Sequence, residues 1–406
     1  MSASRRLSVC YVVPGHDLLA AVGPSRNVLS LASALSRHAE VTVAFRRVAR
    51  PDVPVGVRAL EIQPAAASAT QDDSAMRGVS IAEFLGFMSA LHRFVDRELR
   101  PFDVVLEKSW LLSGYVSSLC RRRGQLGVPV ENIVPDVAHA ARQQILKFLR
   151  LKAGGWIAGR SMRRAPLVIA ETEFLKNEIS AFWKIPRERI AVVDLGVDRE
   201  LFHPREQQGA RSALGIGNDR TVLTYVGVLD FTHNLEPAIR ALGASGRTEI
   251  ELHVVGDGQR AAEYRQLAAA VDARVHFHGR VPHTEVPAWI AAADVCLAPY
   301  DASAFASGEL GYATMKIPEY LSVGRAVASV PSGRVPSLVR QGATGFLFAN
   351  DVPHWGSFLA ELPPRDRLHE MGKAAAATRL QSWDDTADAY LAHCRRLLSS
   401  NPRTLE

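Results

Sequence analysis

Short apolar runs alternate with longer stretches whose apolar residues recur every three or four positions. Residues 7–13 form a compact β-type run. In residues 25–36, Val28, Leu29, Leu31, Ala32 and Leu35 fall at helical spacing. A strand is expected at 41–45. A helix follows at 80–99, with Ile81, Phe84, Leu85, Met88, Leu91 and Val95 on one face. Further strands are expected at 103–106, 128–133 and 167–170. The pattern then restarts, with strands at 222–226, 249–255, 274–277, 295–298 and 326–330. Helices fall from about 235 and at 261–270, 285–292, 315–323 and 383–398. Strand–helix alternation of this kind predicts α/β architecture with doubly wound parallel sheets. Residues 196–220 are rich in Gly, Pro and charge and read as a linker. The expected organisation is a Rossmann-like domain over 1–195, that linker, a second Rossmann-like domain over 221–380, and a C-terminal helix over 381–406 that crosses back to the first domain. Two such halves imply a facing cleft, with ligands at the carboxyl ends of the strands.

Composition narrows the class. With 47% hydrophobic and 22% charged residues over 406 positions, the chain can build cores, which excludes a disordered protein. The net charge of +6 comes mostly from Arg and is ordinary enough to need no nucleic-acid partner, since no basic-aromatic module accompanies it. The four cysteines, Cys10, Cys120, Cys296 and Cys394, are far apart and form no zinc or redox pair. Arg5 and Arg6 precede an apolar run that leads to Pro14-Gly15, so this start reads as a strand rather than a signal peptide. No stretch is long enough to span a membrane, and a cytoplasmic location is the expectation. The basic segment 142–164, with Trp156 and Ile157 among its arginines, suits either weak peripheral membrane contact or, more simply, a packed helix with a solvated basic face. Gly154-Gly155 is expected to interrupt it.

The segment 307–329, "SGELGYATMKIPEYLSVGRAVAS", carries the most chemistry. A loop runs into a helix start, where unpaired amides and the helix dipole favour an anion. Lys316 in the first turn opposes that dipole unless an anionic ligand is present. Glu319 offers a carboxylate able to accept two hydrogen bonds from a ribose diol. Alone, the two are also an ordinary i, i+3 pair.

Three stretches in sequence, "VVGDGQRAAEYRQLA", "VHFHGRVPHTEVPAWIAAADVCLAPY" and "MKIPEYLSVGRAVAS", together resemble the donor-binding half of a retaining glycosyltransferase of family 4, with the GT-B fold. "RIAVVDLGVDRELFHP" is similar to the family's inter-domain segment, and "YVGVLDFTHN" to its first strand and loop of the second domain. The resemblance implies a hexosyltransferase using a UDP- or GDP-linked sugar as co-substrate and a hydroxyl-bearing acceptor, with no obligatory metal. It implies that Glu319 grips the ribose, that Lys316 meets the diphosphate, and that the amides of Thr314 and Met315 hold phosphate oxygens. Gly227 joins the donor contacts, and Arg280 and Val281 lie beside the nucleobase. In the first domain it implies Gly23 in a loop approaching the donor, Arg26 and Asn27 toward donor or acceptor, Glu131 and Asp136 on acceptor hydroxyls, and His139 beside the transferred hexose. Two departures stand out. The family's first motif glutamate falls at Gly311, so that Glu309 replaces it or the contact is lost. Val228 and His233 occupy places that often hold Arg and Lys. A catalytically silent sugar-nucleotide binder and a GT-B epimerase are the rival readings. Oligomeric state is open.

Overall fold

Parallel strands buried on both faces need near-continuous apolar sequence, and the strands here have it. In the computed structural model, which describes residues 5–18, 23–48, 53–63, 80–133, 145–305 and 307–400, the strands build two parallel sheets. The first runs in the order β3-β2-β1-β4-β5-β6-β7, from β1 (Leu7–Val13), β2 (Ala39–Phe45), β3 (Val57–Glu61), β4 (Val104–Lys108), β5 (Leu126–Glu131), β6 (Val168–Ala170) and β7 (Ile190–Val192). The second runs β10-β9-β8-β11-β12-β13, from β8 (Thr221–Val226), β9 (Ile250–Val255), β10 (Val275–Gly279), β11 (Val295–Ala298), β12 (Ala326–Ser329) and β13 (Gly345–Leu347). In each sheet the order reverses beside the first strand of that half, as in doubly wound folds.

The chain divides into two compact units. The first comprises 1–196, 311–313 and 383–406; the second comprises 197–310 and 314–382. In the first unit, Cys10, Val12, Leu91, Val95, Val105 and Val116 form one core, and Met162, Val168, Ile179 and Ile190 another. The helix Trp383–Ser400 belongs to this unit and packs on the helix Gly23–Ser36. Arg37 pairs with Asp384 there, and Thr386 Oγ1 donates to the Asp194 carbonyl at 2.9 Å. All four cysteines are buried free thiols. The helix Ile145–Met162 runs unbroken through Gly154-Gly155. A Cβ on Gly154 would lie 3.2 Å from Leu111, so here glycine admits a close neighbour instead of ending the helix. No helix among the described residues is long and apolar enough to cross a membrane.

In the second unit, Leu223, Leu252, Val254, Val295 and Leu297 meet Ile239, Tyr264, Trp355 and Phe358 in one core. The stretch expected as a linker contributes to this unit. Its residues Gln207–Leu214 form a helix capped by Glu206, whose carboxylate accepts from the Gln208 and Gly209 amides. Arg211 on that helix is wholly buried. It pairs with Asp294 at 2.8 Å and donates to the Ala292 carbonyl, while Asp294 also accepts the Val222 amide at 2.7 Å. Removing Arg211 leaves the buried Asp294 carboxylate with only the part-exposed Arg365, at 3.5 Å, to offset its charge. Arg211→Met is therefore expected to lower the opening free energy of β8 and β11 amides by about 3–5 kcal/mol in native-state hydrogen exchange. The Arg211→Met/Asp294→Asn double variant recovers much of the loss.

Candidate functional site

The chemistry-bearing residues of the second unit gather where β8 and β11 end and the helix Lys316–Val323 begins. β8 is followed by Gly227 at φ +150°, a conformation that only glycine adopts cheaply. The next turn, after β9, approaches it so closely that a Cβ on Gly256 would lie 1.9 Å from the Gly227 carbonyl oxygen. Gly256, at φ +134°, donates its amide to the Gly279 carbonyl at 2.7 Å, tying in the end of β10. A side chain on Gly227 would fall 2.7 Å from the Lys316 ammonium, so its absence leaves room for that group.

Lys316 is the first residue of its helix, and no side chain caps the helix start. Its Nζ donates to the Tyr225 hydroxyl at 3.2 Å, which in turn donates to the Val228 carbonyl at 2.6 Å. The ammonium lies 4.3 Å from the Tyr225 ring centre and 5.5 Å from that of Tyr300. Burial lowers its pKa to about 7, and the carboxylates of Asp230 and Glu319 only partly oppose the fall. Thr314 is buried, with its hydroxyl bonded to that of Tyr300. Met315 is half-buried at the N-cap, and Glu319 is half-buried in the first turn, where a carboxylate suits the helix dipole. Tyr320 anchors the helix to the sheet, accepting the Val226 amide at 2.9 Å.

Residues not expected at the site come from β8, the loop after it and the segment after β11; of these, His233 enters the sequence analysis only as a departure from the family pattern. His233 Nδ1 lies 2.8 Å from Asp230 Oδ1, and its ring meets Tyr300 at 5.3 Å. Burial, and then the nearby Lys316 charge, lower the His233 pKa to about 4. Burial works to raise the Asp230 pKa, but hydrogen bonds from His233 and Thr232 win and hold it below the usual carboxylate range. Tyr225, Asp230, His233 and Tyr300 thus surround the lysine. For Asp230 and His233 the signal is the polar run "DFTHN", which begins four residues past the end of β8; the two tyrosines have none.

Other expected residues stand apart from this group. Glu309 accepts from Ser332 Oγ and the Gly333 amide, both at 2.7 Å, and these bonds lower its pKa. Its carboxylate thus braces the neighbouring loop. Arg280 is exposed just past β10. Val281 packs on Ile216, Val222, Val255, Trp289 and Ala292. Among the described residues, the one cluster of metal-type ligands lies on the faces of β9 and β10.

In the first unit, Gly23 opens the helix Gly23–Ser36, and Arg26 and Asn27 are half-buried in its first turns. Asn27 Oδ1 is buried without a hydrogen-bond partner. Glu131 ends β5 in the interior, both its oxygens buried and unbonded. Burial pushes its carboxyl up to about 8; the Ser113 hydroxyl near it donates instead to the Trp110 carbonyl at 3.0 Å. Lys108 at the end of β4 and Glu171 just past β6 are buried with it and feel its charge. Neither was singled out from sequence. Asp136 and His139 lie outside the described residues.

The lysine gives a pH signature. Its folded pKa of about 7 lies below the ordinary lysine value of about 10.4, so between them the unfolded chain holds one more proton. The cost of burying the charge is complete below pH 7 and fades toward pH 10. Lys316→Met is therefore expected to raise the melting temperature of the ligand-free protein at pH 6, with the difference from wild type closing near pH 10. A difference that does not change with pH would contradict this.

Comparison with known proteins gives this arrangement its context. The group 1 glycosyl transferases match residues 220–362, and glycosyltransferase family 4 matches residues 22–201. A D-inositol 3-phosphate glycosyltransferase of Mycolicibacterium paratuberculosis is 30% identical over 308 residues, spanning 73% of this chain and 67% of its own. Among solved structures, the sucrose-phosphate synthase of Thermosynechococcus elongatus superposes with a TM-score of 0.77 at 18% identity, covering 97% of this chain and all of that one. Anabaena HepE in complex with UDP-glucose gives 0.69 at 16% identity, covering 97% of this chain and all of that one. The two Rossmann-like sheets are those of the GT-B glycosyltransferases, and the chain belongs to the group 1 glycosyltransferases of family 4.

Proposed function

We propose that this glycosyltransferase moves a hexose from a nucleotide-diphosphate sugar to an acceptor hydroxyl with retention at the anomeric carbon. The observation that carries the reading is Lys316: a cation held between two tyrosine rings, at an uncapped helix start, with its proton nearly in balance at neutral pH. Such a group gains most from an anion arriving beside it. UDP-glucose, captured in HepE, is the favoured donor type over a GDP-linked sugar.

In this reading the diphosphate meets Lys316 and the amides of Thr314 and Met315. Glu319 accepts from the ribose hydroxyls. Gly227 leaves space for the diphosphate, and Arg280 and Val281 border the base. The first unit contributes the acceptor and hexose contacts through Gly23, Arg26, Asn27, Glu131, Asp136 and His139. The acceptor oxygen attacks the anomeric carbon on the face from which the diphosphate departs. The carbon–oxygen bond to phosphate breaks through an oxocarbenium-like state, and the leaving phosphate oxygen takes the acceptor proton. The protein then acts mainly by stabilising charge on the leaving group.

Glu309 is committed to Ser332 and Gly333, which favours as a second reading a binder of sugar nucleotides without transferase turnover. A panel of UDP- and GDP-sugars, screened by thermal shift and by slow hydrolysis without acceptor, separates the two. Stabilisation by one donor with release of its nucleoside diphosphate supports the transferase. Binding with no turnover across an acceptor screen supports the silent binder. No binding by any sugar nucleotide rejects both.

Two further outcomes are specific to the site. Lys316→Ala is expected to lower kcat about 100-fold, and Glu319→Ala to raise the donor KM about tenfold. Unchanged kinetics in both variants would remove the assignment. Binding of UDP at pH 8 is expected to draw about one proton from solution as Lys316 regains its charge. Calorimetry in buffers of different ionisation enthalpy reads that uptake, and Lys316→Met abolishes it.

A further inference from the structure

The outer edge of the second sheet carries a group of side chains that the donor reading does not use. Glu251 and His253 are two residues apart on β9 and so share one face. β10 is parallel to β9 with His276 opposite His253, and His278 follows on the same face. The other face of β9 carries Leu252 and Val254 into the apolar core. Strands buried in a parallel sheet are normally apolar on both faces, so a buried Glu and His here are a departure. Glu251 is 8% and His253 5% exposed, while the His276 side chain remains half exposed.

The three groups converge. Glu251 Oε1 lies 3.0 Å from His253 Nε2, and Glu251 Oε2 lies 3.6 Å from His276 Nε2. One ligand atom from each of the three falls within 4.8 Å of the other two. A tetrahedral zinc ion, with bonds of about 2.0–2.1 Å to nitrogen or oxygen, separates neighbouring ligands by about 3.3 Å. The two observed separations straddle that value. Two imidazoles and one carboxylate form a donor set that suits zinc and not magnesium, which demands oxygen ligands. The outer partners are in place as well. His253 Nδ1 is 2.9 Å from His278 Nε2, the two rings are stacked at 5.1 Å, and His278 packs on Trp289 at 4.0 Å. With Nε2 on a metal, Nδ1–H of His253 donates to His278, the arrangement that fixes ring orientation in metal sites. Arg211 is close enough to be felt at His253, and its charge is matched by Asp294.

We propose that Glu251, His253 and His276 bind one divalent zinc-class cation, with the fourth position open to water beside the exposed His276. The ion clamps the edge strand β10 to β9. One residue past His278, Gly279 accepts the Gly256 amide, and Gly256 abuts the Gly227 carbonyl. The clamp therefore steadies the strand ends from outside the donor site and takes no part in group transfer.

The test uses the full chain without a histidine tag, stripped with chelator, then exposed to micromolar ZnCl₂ and desalted. Wild type is expected to retain about one zinc per chain by elemental analysis and to melt higher with zinc but not with magnesium. Cobalt in place of zinc is expected to give the intense visible absorption of a low-coordinate site. His276→Ala, at a half-exposed position that the fold tolerates, and Glu251→Gln are each expected to weaken zinc binding at least tenfold. His354→Ala, an exposed histidine elsewhere, leaves it unchanged. Substoichiometric zinc in wild type, or equal retention in His276→Ala, overturns the proposal. None of these readouts requires glycosyl transfer, so the result stands whether or not the donor assignment does.

Discussion

A backbone-to-backbone contact sets the geometry at the strand ends of the second unit. The turn after β9 can touch the Gly227 carbonyl only because Gly256 has no side chain. That contact holds the end of β8 in a left-handed turn and ties it, through the Gly256 amide, to the end of β10. The Lys316 side chain is then enclosed by Tyr225, Tyr300 and the Asp230–His233 pair. A cation in such surroundings is poised: costly to hold charged when alone, and readily recharged by an anion. The electrostatics of the site are thus a consequence of two glycines.

How much of this was legible depends on which physical signal each element carries. The buried central strands of both sheets are apolar runs, and periodicity found them. The short edge strand β3, "VRALE", has a charge at every third position, so its pattern is not that of a strand, and it was missed. The helix Gln207–Leu214 was read as linker because its most buried residue is Arg211, a residue that hydrophobic periodicity counts as surface. Only the partner Asp294, some eighty residues away, makes the burial intelligible.

The candidate site divides the same way. Lys316 and Glu319 stood out because a cation at a helix start conflicts with the dipole, a local signal that a sequence can express. Tyr225 lies on β8 and Tyr300 just past β11, and nothing in their spacing reveals that their hydroxyls and rings face a lysine. Glu309 illustrates the reverse. Proximity in sequence made it a stand-in for the glutamate missing at Gly311, yet its carboxylate has bonding partners of its own in a later loop. In the first unit, Glu131 reads as a strand-end acid, but its company comes from the ends of other strands, Lys108 on β4 and Glu171 just past β6.

The helix Trp383–Ser400 packs on the helix Gly23–Ser36, so residues 197–310 and 314–382 are inserted within the first unit's own chain. On a ribosome, synthesis runs from the N-terminus and units tend to fold as they emerge. The second unit is complete when its last strand and helices have left the exit tunnel. The first unit, although its opening strands come earlier in the sequence, must wait for residues 383–400 before the apolar face of the helix Gly23–Ser36 is covered. Of the two units, the one whose strands come first in the sequence is therefore completed second, and in the interval part of its core stays uncovered.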